Sequence, residues 1–125
     1  MNGKIEKEAD RVFSILVRKT YSEDGWCNCF VCGKPFLISD IDNGHCFKRG
    51  NHATRWLLDN CRPQCKSCNQ FTITDDQYKE KLKEVIGIVR FEEIERLSRS
   101  TCKLSNVDGK ELIAHINKKI RELNN

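Results

Sequence analysis

The chain has 125 residues, of which 38% are hydrophobic and 32% are charged, and this composition is typical of a small, polar protein with one modest core. No apolar stretch approaches the roughly 20 residues that a membrane-spanning helix needs, and the N-terminal segment lacks the apolar region of a signal peptide, so we expect a cytoplasmic protein. The net charge of +4 permits nucleic acid as a partner but does not by itself argue for one.

The cysteine content is the most informative bulk property. Eight cysteines would form a disulfide framework in a secreted protein, but a reducing compartment keeps such thiols free. In that setting, cysteines in Cys-x-x-Cys pairs are typical of metal binding. We therefore expect a zinc protein, and the lack of a βαβ pattern argues against a thioredoxin-like redox site.

The hydrophobic pattern divides a single predicted domain, 1–125, into three parts. Apolar residues recur at helical spacing over 1–20 and predict an amphipathic helix that packs on the core. The centre, 27–73, is broken by glycine and proline, and its strand-like runs are FLISDI (36–41) and RWLLDN (55–60). Because this centre can bury only a small core, we expect a metal to stabilise it.

The third part, 74–125, returns to a helical pattern. Acidic residues at the start and a glycine at the end predict a helix over 74–87, and further helices are predicted over 90–100 and 105–125. The last of these has one apolar face, formed by Leu112, Ile113, Ile116, Ile120 and Leu123. Such terminal helices are compatible with packing on the chain's own core and equally with a homodimer.

Two Cys-x-x-Cys pairs predict one structural zinc site. The pairs are separated by 32 residues, and their cysteines are Cys29, Cys32, Cys65 and Cys68. A Zn²⁺ ion takes four tetrahedral ligands, and two thiolates at this spacing reach one ion from a tight turn. Cys27 competes for the first pair because CNC also places two cysteines close together. The Gly33 that follows Cys32 favours the CxxC pairing, since glycine accepts the positive φ of such a turn.

Three cysteines, Cys46, Cys61 and Cys102, have no partner at metal-binding spacing. A free cysteine commonly behaves as a small buried hydrophobic residue. We therefore expect these three in the core, with Cys46 and Cys61 behind His45 and Asn60, which they follow directly.

Residues between the two cysteine pairs indicate a second kind of site. His45 occurs with Asp42 and Asn69, whose oxygen atoms suit a hard Mg²⁺ or Mn²⁺ ion better than another zinc. A hairpin followed by a helix at the second CxxC pair would hold His45 and Asn69 in one pocket. Only Asp59 opposes the five basic residues of this stretch, an excess of four charges (five minus one) that suits a phosphate backbone: Lys48, Arg49, Arg55, Arg62 and Lys66.

The order GH, N and CxxCN, framed by two cysteine knuckles, resembles the HNH (ββα-metal) nucleases in the variant with asparagine at the third position. The motifs CFVCGK, DNGH, HATRW and DNCRPQCKSCN more closely resemble the phage NinG (Rap) recombination family, over most of the chain. This resemblance implies a small α+β fold, with a zinc-stabilised ββα-metal or treble-clef-like centre flanked by an N-terminal helix and C-terminal helices. It also implies a metal-dependent endonuclease that acts on branched DNA, such as a Holliday junction, in the host cytoplasm.

The resemblance assigns roles to individual residues. His45 would be the general base that activates water, and Asn69 would bind the catalytic ion. Asn60 would hydrogen-bond the loop backbone and so orient His45. Phosphate contacts would come from the basic residues of the same stretch: Lys48, Arg49, His52, Arg55, Arg62 and Lys66.

One position departs from the nuclease pattern. Many HNH enzymes carry a metal-binding aspartate or histidine directly before the general base, and here that position is Gly44. Asp42 is the replacement candidate, because a kink at Gly44 would turn its carboxylate toward the site. His52 is the other candidate, with phosphate contact or simple exposure as its alternative interpretations.

Other classes of function fit the same knuckles and basic residues. The first is a non-catalytic zinc-binding module that binds DNA or regulates, and the second is a protein-interaction domain that uses the C-terminal helices. The pair of His45 and Asn69 distinguishes the nuclease from both, since a binding module needs neither a base nor an oxygen ligand beside the knuckle.

Overall fold

Helix α1 (Gly3–Thr20) begins the fold in the computed structural model, which describes residues 1–70 and 75–124. The Asn2 side chain caps the helix by accepting a hydrogen bond from the backbone N–H of Ile5. Arg18 and Lys19 lie in the last turn, where positive charge complements the helix dipole. The predicted apolar stripe is half-buried at its first member, Ile5, and buried at the others, which are Ala9, Val12, Phe13, Leu16 and Val17.

The first sheet contains three short antiparallel strands, β1 (Ser22–Glu23), β2 (Trp26–Asn28) and β3 (Pro35–Leu37), in that order. Asp24 and Gly25, with φ of 53° and 83°, form the tight turn between β1 and β2. The strand predicted over 36–41 is only half present, because a 3₁₀ turn at Ile38–Asp40 follows β3.

The second sheet is a two-stranded hairpin that leads into a helix. Strand β4 (Asp42–His45) pairs antiparallel with β5 (Cys61–Gln64), and α3 (Lys66–Gln70) begins after β5. The short helix α2 (His52–Arg55) lies in the connection between the two strands. The strand predicted over 55–60 is wrong, since that run ends α2 and forms a 3₁₀ turn. Strand β5 is buried along its whole length, so it lacks the polar–apolar alternation that would have marked it.

The C-terminal part is helical, as predicted, with α4 (Asp75–Ile86), α5 (Ile88–Ser98) and α6 (Asn106–Leu123). A capping box between Ser105 and Asp108 begins α6. The predicted apolar face of α6 packs on the cluster of α1, except for Leu123, which is exposed. The predicted bounds that fall on 71–74 and 125 lie outside the described residues. Among the described residues, no helix is long and apolar enough to cross a membrane.

The buried apolar residues form two clusters joined by the β4–β5 hairpin. One cluster unites α1 and α6 with Trp56 and Cys61, and the other unites Cys46 and the cysteine knuckle with α4 and α5. Cys46 and Cys61 are therefore core residues, as predicted. The prediction for Cys102 is wrong, because this residue is exposed in the connection between α5 and α6.

Gly44 has a packing role in the hairpin. A Cβ atom at this position would lie 2.7 Å from the Cβ of Gln64, which is closer than two such carbons can approach. Gln64 is buried, and its amide donates a hydrogen bond to the carbonyl of Cys68 at 3.2 Å, so it is held in place. The position before His45 therefore has no room for a metal-binding side chain.

We expect Gly44→Ala to lower the free energy of unfolding by about 1–3 kcal/mol, because the new methyl group overpacks against Gln64. Gly50→Ala is the matched control, since nothing lies within 4 Å of a Cβ at that glycine. Adding Gln64→Gly to Gly44→Ala removes the Cβ that the new methyl group meets and should recover part of the loss, which denaturant unfolding of the single and double variants would measure. Strictly additive losses would contradict this packing role.

Candidate metal centre and catalytic cleft

Four cysteine sulfurs converge between the loop after β2 and the start of α3. The Sγ atoms of Cys29, Cys32, Cys65 and Cys68 all lie within 4.8 Å of one another. The Sγ atoms of Cys32 and Cys65 are 3.9 Å apart. Tetrahedral zinc with Zn–S bonds of about 2.3 Å requires sulfur–sulfur distances of about 3.8 Å. The four cysteines are thus positioned to bind one metal ion, and the set of thiolates is consistent with structural zinc.

Backbone N–H groups favour the thiolate form of one cysteine in this cluster, Cys29. The Sγ of Cys29 accepts hydrogen bonds from the backbone of Cys32 at 3.5 Å and of Cys65 at 3.3 Å. Burial alone would raise the pKa of the Cys29 thiol, but these donors outweigh it and lower the pKa to about 7. Burial, together with the neighbouring Cys65 and Cys29 sulfurs, raises the pKa of Cys68 to about 12. A divalent cation at the centre would remove the repulsion among the thiolates.

The turn after Cys29 explains why the first pair is Cys29 and Cys32. Gly33 adopts a φ of 77°, and its N–H donates to the carbonyl of Cys29 at 2.9 Å, which closes the knuckle. Cys27 lies outside the cluster, and its thiol donates to the carbonyls of Arg18 and Tyr21. The competing assignment of Cys27 as a metal ligand is not supported.

A cleft of about 570 Å³ opens between α1, β4 and α3. It brings together the three residues predicted to carry the chemistry, Asp42, His45 and Asn69. Three of the predicted basic residues, Lys48, Arg49 and Lys66, also line it, and more than half of each of their side chains is exposed.

The imidazole of His45 has a defined tautomer. Its Nε2 lies 2.8 Å from the carbonyl oxygen of Arg55, and because a carbonyl only accepts, Nε2 must carry the proton. Nδ1 therefore keeps its lone pair, and it makes no hydrogen bond within the described ranges 1–70 and 75–124. Burial lowers the pKa of His45 to about 4, so the ring is neutral at physiological pH. A neutral imidazole with an available nitrogen is suited to accept a proton.

Asn60 lies behind His45 rather than in the cleft. It is fully buried, and its Oδ1 accepts from the backbone N–H of Phe47 at 2.9 Å. Its Nδ2 donates to the carbonyls of Phe47 and Thr54, both at 3.0 Å. These are the loop-backbone hydrogen bonds that the sequence predicted for Asn60. The hydrogen bond to Thr54 fixes the backbone directly before Arg55, and the carbonyl of Arg55 accepts the hydrogen bond from His45.

Asp42 and Asn69 meet at one edge of the cleft. The Nδ2 of Asn69 lies 3.4 Å from Oδ2 of Asp42, and the ammonium of Lys66 lies 2.7 Å from Oδ1. The Asp42 carboxylate already binds the Lys66 ammonium group. Rotation of the Asn69 amide would bring its oxygen beside that carboxylate. This oxygen pair fits a hard divalent ion.

The structure does not bring every predicted basic residue to this cleft. Both ring nitrogens of His52 are engaged, by Glu6 at 3.1 Å and by the backbone N–H of Leu104 at 2.9 Å, so His52 is not placed as a metal ligand. Arg62 is 5% exposed and lines a separate cavity. Arg55 contributes its carbonyl to His45, while its side chain turns toward α1.

Helix α1 supplies cleft residues that the sequence analysis missed. Asp10, Ser14 and Arg18 recur at intervals of four residues and line the cleft beside the apolar stripe of the same helix. That spacing is the signal that could have found them, because residues four apart share one helix face. The polar residues of an amphipathic helix are normally solvated, which is why this stripe was passed over.

Asp10 joins α1 to the segment that carries the Arg55 carbonyl. Its carboxylate accepts from Nε and Nη2 of Arg55, at 3.0 and 2.6 Å, and from the indole of Trp56 at 2.9 Å. Burial alone would raise the pKa of Asp10, but Arg55 and Trp56 outweigh it and lower the pKa. Asp10 is therefore ionised and clamps α2 to α1.

Cys68→Ser should lose the metal and unfold the centre, whereas wild type should carry about one zinc per chain, because a structural site needs four ligands. Cys102→Ser is the matched control, since Cys102 is exposed and lies outside the cluster. Metal analysis and circular dichroism of the purified proteins would measure both effects. Zinc retained by Cys68→Ser, or absent from wild type, would overturn the ligand assignment.

Asp10→Asn should lower the free energy of unfolding by about 2 kcal/mol, because charge-assisted hydrogen bonds to Arg55 are weakened. Glu8→Gln removes a carboxylate from the same helix, but its ion pair with Arg11 is exposed and should contribute little. Denaturant unfolding compares the two. Equal effects would show that Asp10 is an ordinary surface charge.

Comparison with known proteins gives one match. The family model described as the bacteriophage lambda NinG protein matches residues 1–125, which is the whole chain. Searches of the curated proteins and of the solved structures gave no match. The match over the full length shows the family, and the chain belongs to the NinG family.

Proposed function

We propose that the chain is a metal-dependent DNA endonuclease of the HNH type, which hydrolyses phosphodiester bonds in branched recombination intermediates. One observation carries the proposal: a carbonyl fixes the protonated Nε2 of His45, and the ring lies in the same cleft as Asp42 and Asn69. The order of hairpin and helix, β4, β5 and α3, with cysteines at its end, supports the HNH assignment. Membership in the NinG family supports a substrate among recombination intermediates.

His45 acts as the general base. Its Nδ1 accepts a proton from a water molecule, and the resulting hydroxide attacks the scissile phosphorus in line with the leaving 3′-oxygen. The hydrogen bond from Nε2 to Arg55 strengthens as the ring becomes positively charged, so it stabilises the state in which the proton has been transferred. Asn60 and Asp10 act through Arg55 and are positioning residues.

Asp42 and Asn69 would hold the catalytic Mg²⁺ or Mn²⁺. When bound, the ion supplies stabilisation of the charge that develops on the phosphorane and on the leaving oxygen. Lys66 must leave Asp42 to open that position, and its exposed side chain is free to move to a phosphate. Asp42 thus supplies the metal ligand that Gly44, which has no side chain, cannot supply.

Exposed cations at the cleft suit the DNA backbone. Lys48 and Arg49 extend from the loop after β4, and Lys66 extends from α3, so they flank His45 and Asn69. Arg18 adds a positive charge on the α1 side. Each is partly solvated, which favours phosphate contacts that weaken as salt is added.

A non-catalytic zinc module that binds DNA is the alternative function. It accounts for the cysteine cluster and the basic residues equally well. It gives no reason for a half-buried histidine held in the proton-accepting tautomer beside a carboxylate and an amide, and this difference favours the nuclease.

Wild type should cut a four-way junction in the presence of Mg²⁺ or Mn²⁺, and His45→Ala should reduce the rate about 100-fold or more, because it removes the base. Gel assays on four-way, nicked and linear duplex DNA, with and without each metal, would measure cleavage. His115→Ala is the matched control, since His115 is exposed on α6. Zinc content and junction affinity should be unchanged in both variants.

If wild type binds DNA but cuts none of these substrates with either metal, the nuclease proposal fails and the binding module takes its place. A His45→Ala variant that cuts as fast as wild type would remove His45 as the base while leaving the nuclease assignment standing.

A further inference from the structure

A second cavity, of about 690 Å³, opens beside the cysteine knuckle on residues that the proposed nuclease mechanism does not use. We call it the aromatic pocket, because Tyr21, Trp26 and Phe30 line it. Trp26 is 52% exposed and Tyr21 is 41% exposed, although both are large apolar rings. Exposed aromatic rings that line one cavity offer flat faces for a planar ligand.

A buried cation lies in this pocket. Arg62 is only 5% exposed, and its guanidinium lies 4.8 Å from the ring of Tyr21 and 5.6 Å from that of Phe30. Its Nη1 donates to the carbonyls of Leu58 at 3.2 Å and Cys61 at 2.8 Å. In the part of the chain that the structure describes, no carboxylate lies within ion-pair distance of Arg62. A buried charge without a counter-ion is costly, so an anion in the pocket would bind favourably.

The other lining residues favour hydrogen-bond donors. Glu23, Asp24 and Asn28 add carboxylate and amide oxygens to the same pocket. An acidic peptide would bring several carboxylates beside Glu23 and Asp24, whereas a nucleotide brings one phosphate, which can lie at Arg62 while its base faces the two carboxylates. A single nucleotide combines a flat base, amino groups that pair with carboxylates, and a phosphate for the guanidinium. Bases inside a duplex are stacked on one another and present no free face.

We propose that the aromatic pocket binds one unpaired nucleotide of DNA, with its base against Trp26 and Tyr21 and its phosphate at Arg62. Arg62 pairs with Gly44 across the β4–β5 ladder, next to the pair of Cys61 with His45, so the pocket is built on the strand that neighbours the one carrying His45. An unpaired nucleotide held there would bring the adjoining DNA to the cleft, which selects branched or gapped DNA. The inference rests on the proposed function for its choice of DNA, but binding at the pocket requires no cleavage.

The test measures binding without added Mg²⁺ or Mn²⁺ and without chelator, so that structural zinc stays bound. Quenching of tryptophan fluorescence is followed in Trp56→Phe, which leaves Trp26 as the single tryptophan of the two in the chain. A 5′-phosphorylated single-stranded octanucleotide should quench Trp26 saturably, and the blunt duplex of the same sequence should quench it at least tenfold more weakly. Equal quenching by the duplex would overturn the inference.

Affinity is measured separately, in the chain with both tryptophans, by anisotropy of a labelled octanucleotide. Trp26→Ala should weaken binding about tenfold, as expected for the loss of one stacked base. Val107→Ala is the matched control, because Val107 is 65% exposed on α6 and outside the pocket. Arg62→Met should weaken binding similarly and reduce its salt dependence, with zinc content and circular dichroism confirming the fold.

Two results would overturn the proposal whatever the outcome of the cleavage assays. One is an affinity that changes less than twofold in Trp26→Ala. This substitution removes an exposed side chain and should leave the fold intact. The other is quenching by a glutamate-rich peptide as strong as that by the octanucleotide, which would make the pocket a docking site for acidic protein segments. A chain that cuts no DNA but shows the Trp26 effect would reject the nuclease and keep the pocket.

Discussion

The convergence of four cysteine sulfurs is the constraint on which the other features of the centre depend. Strand β5 and helix α3 are short, with four and five residues, and neither is stable without tertiary support. A metal ion bound by both cysteine pairs would anchor the start of α3 to the loop after β2, and Asn69 is the residue directly after the last ligand. With the metal bound, the placement of an amide at the edge of the cleft would follow from that ion rather than from a large core.

A second layer of positioning acts on His45 from behind. Asn60 holds the backbone of Phe47, before α2, and of Thr54, within α2, and Asp10 holds the side chain of Arg55. The carbonyl of Arg55, which both contacts help to position, accepts a hydrogen bond from Nε2 of His45. In the proposed mechanism His45 is a general base, which needs a fixed tautomer more than a strong charge, and a carbonyl acceptor provides that tautomer while leaving the ring neutral. This explains why the residues that define the cleft come from elements distant in the chain.

The sequence predicted features set by local pattern and missed those set by packing. The long helices follow from periodicity and capping, and the metal cluster follows from CxxC spacing, so both were correctly placed. Strand β5 was missed because total burial removes alternation, and a strand was instead assigned to 55–60. Asp10 was missed because its spacing from Ser14 and Arg18 marks a shared polar face of α1 but does not tell which neighbour that face meets. Cys102 was assigned to the core from its residue type alone, and the loop that carries it is exposed.

Arg62 shows why charge counted along a chain does not locate a binding surface. Alternation along β5 separates the side chain of Arg62 from that of Cys61, and residue 62 faces Gly44 while Cys61 faces His45. One residue of displacement along the strand therefore moves a cation from the neighbourhood of His45 to an aromatic cavity. Glycine at position 44 is required because Gln64 packs over it on that same ladder, and this packing leaves Asp42, two residues earlier, as the carboxylate of β4 that reaches the cleft. The departure from the usual nuclease pattern and the separate location of Arg62 thus follow from the same two-stranded ladder.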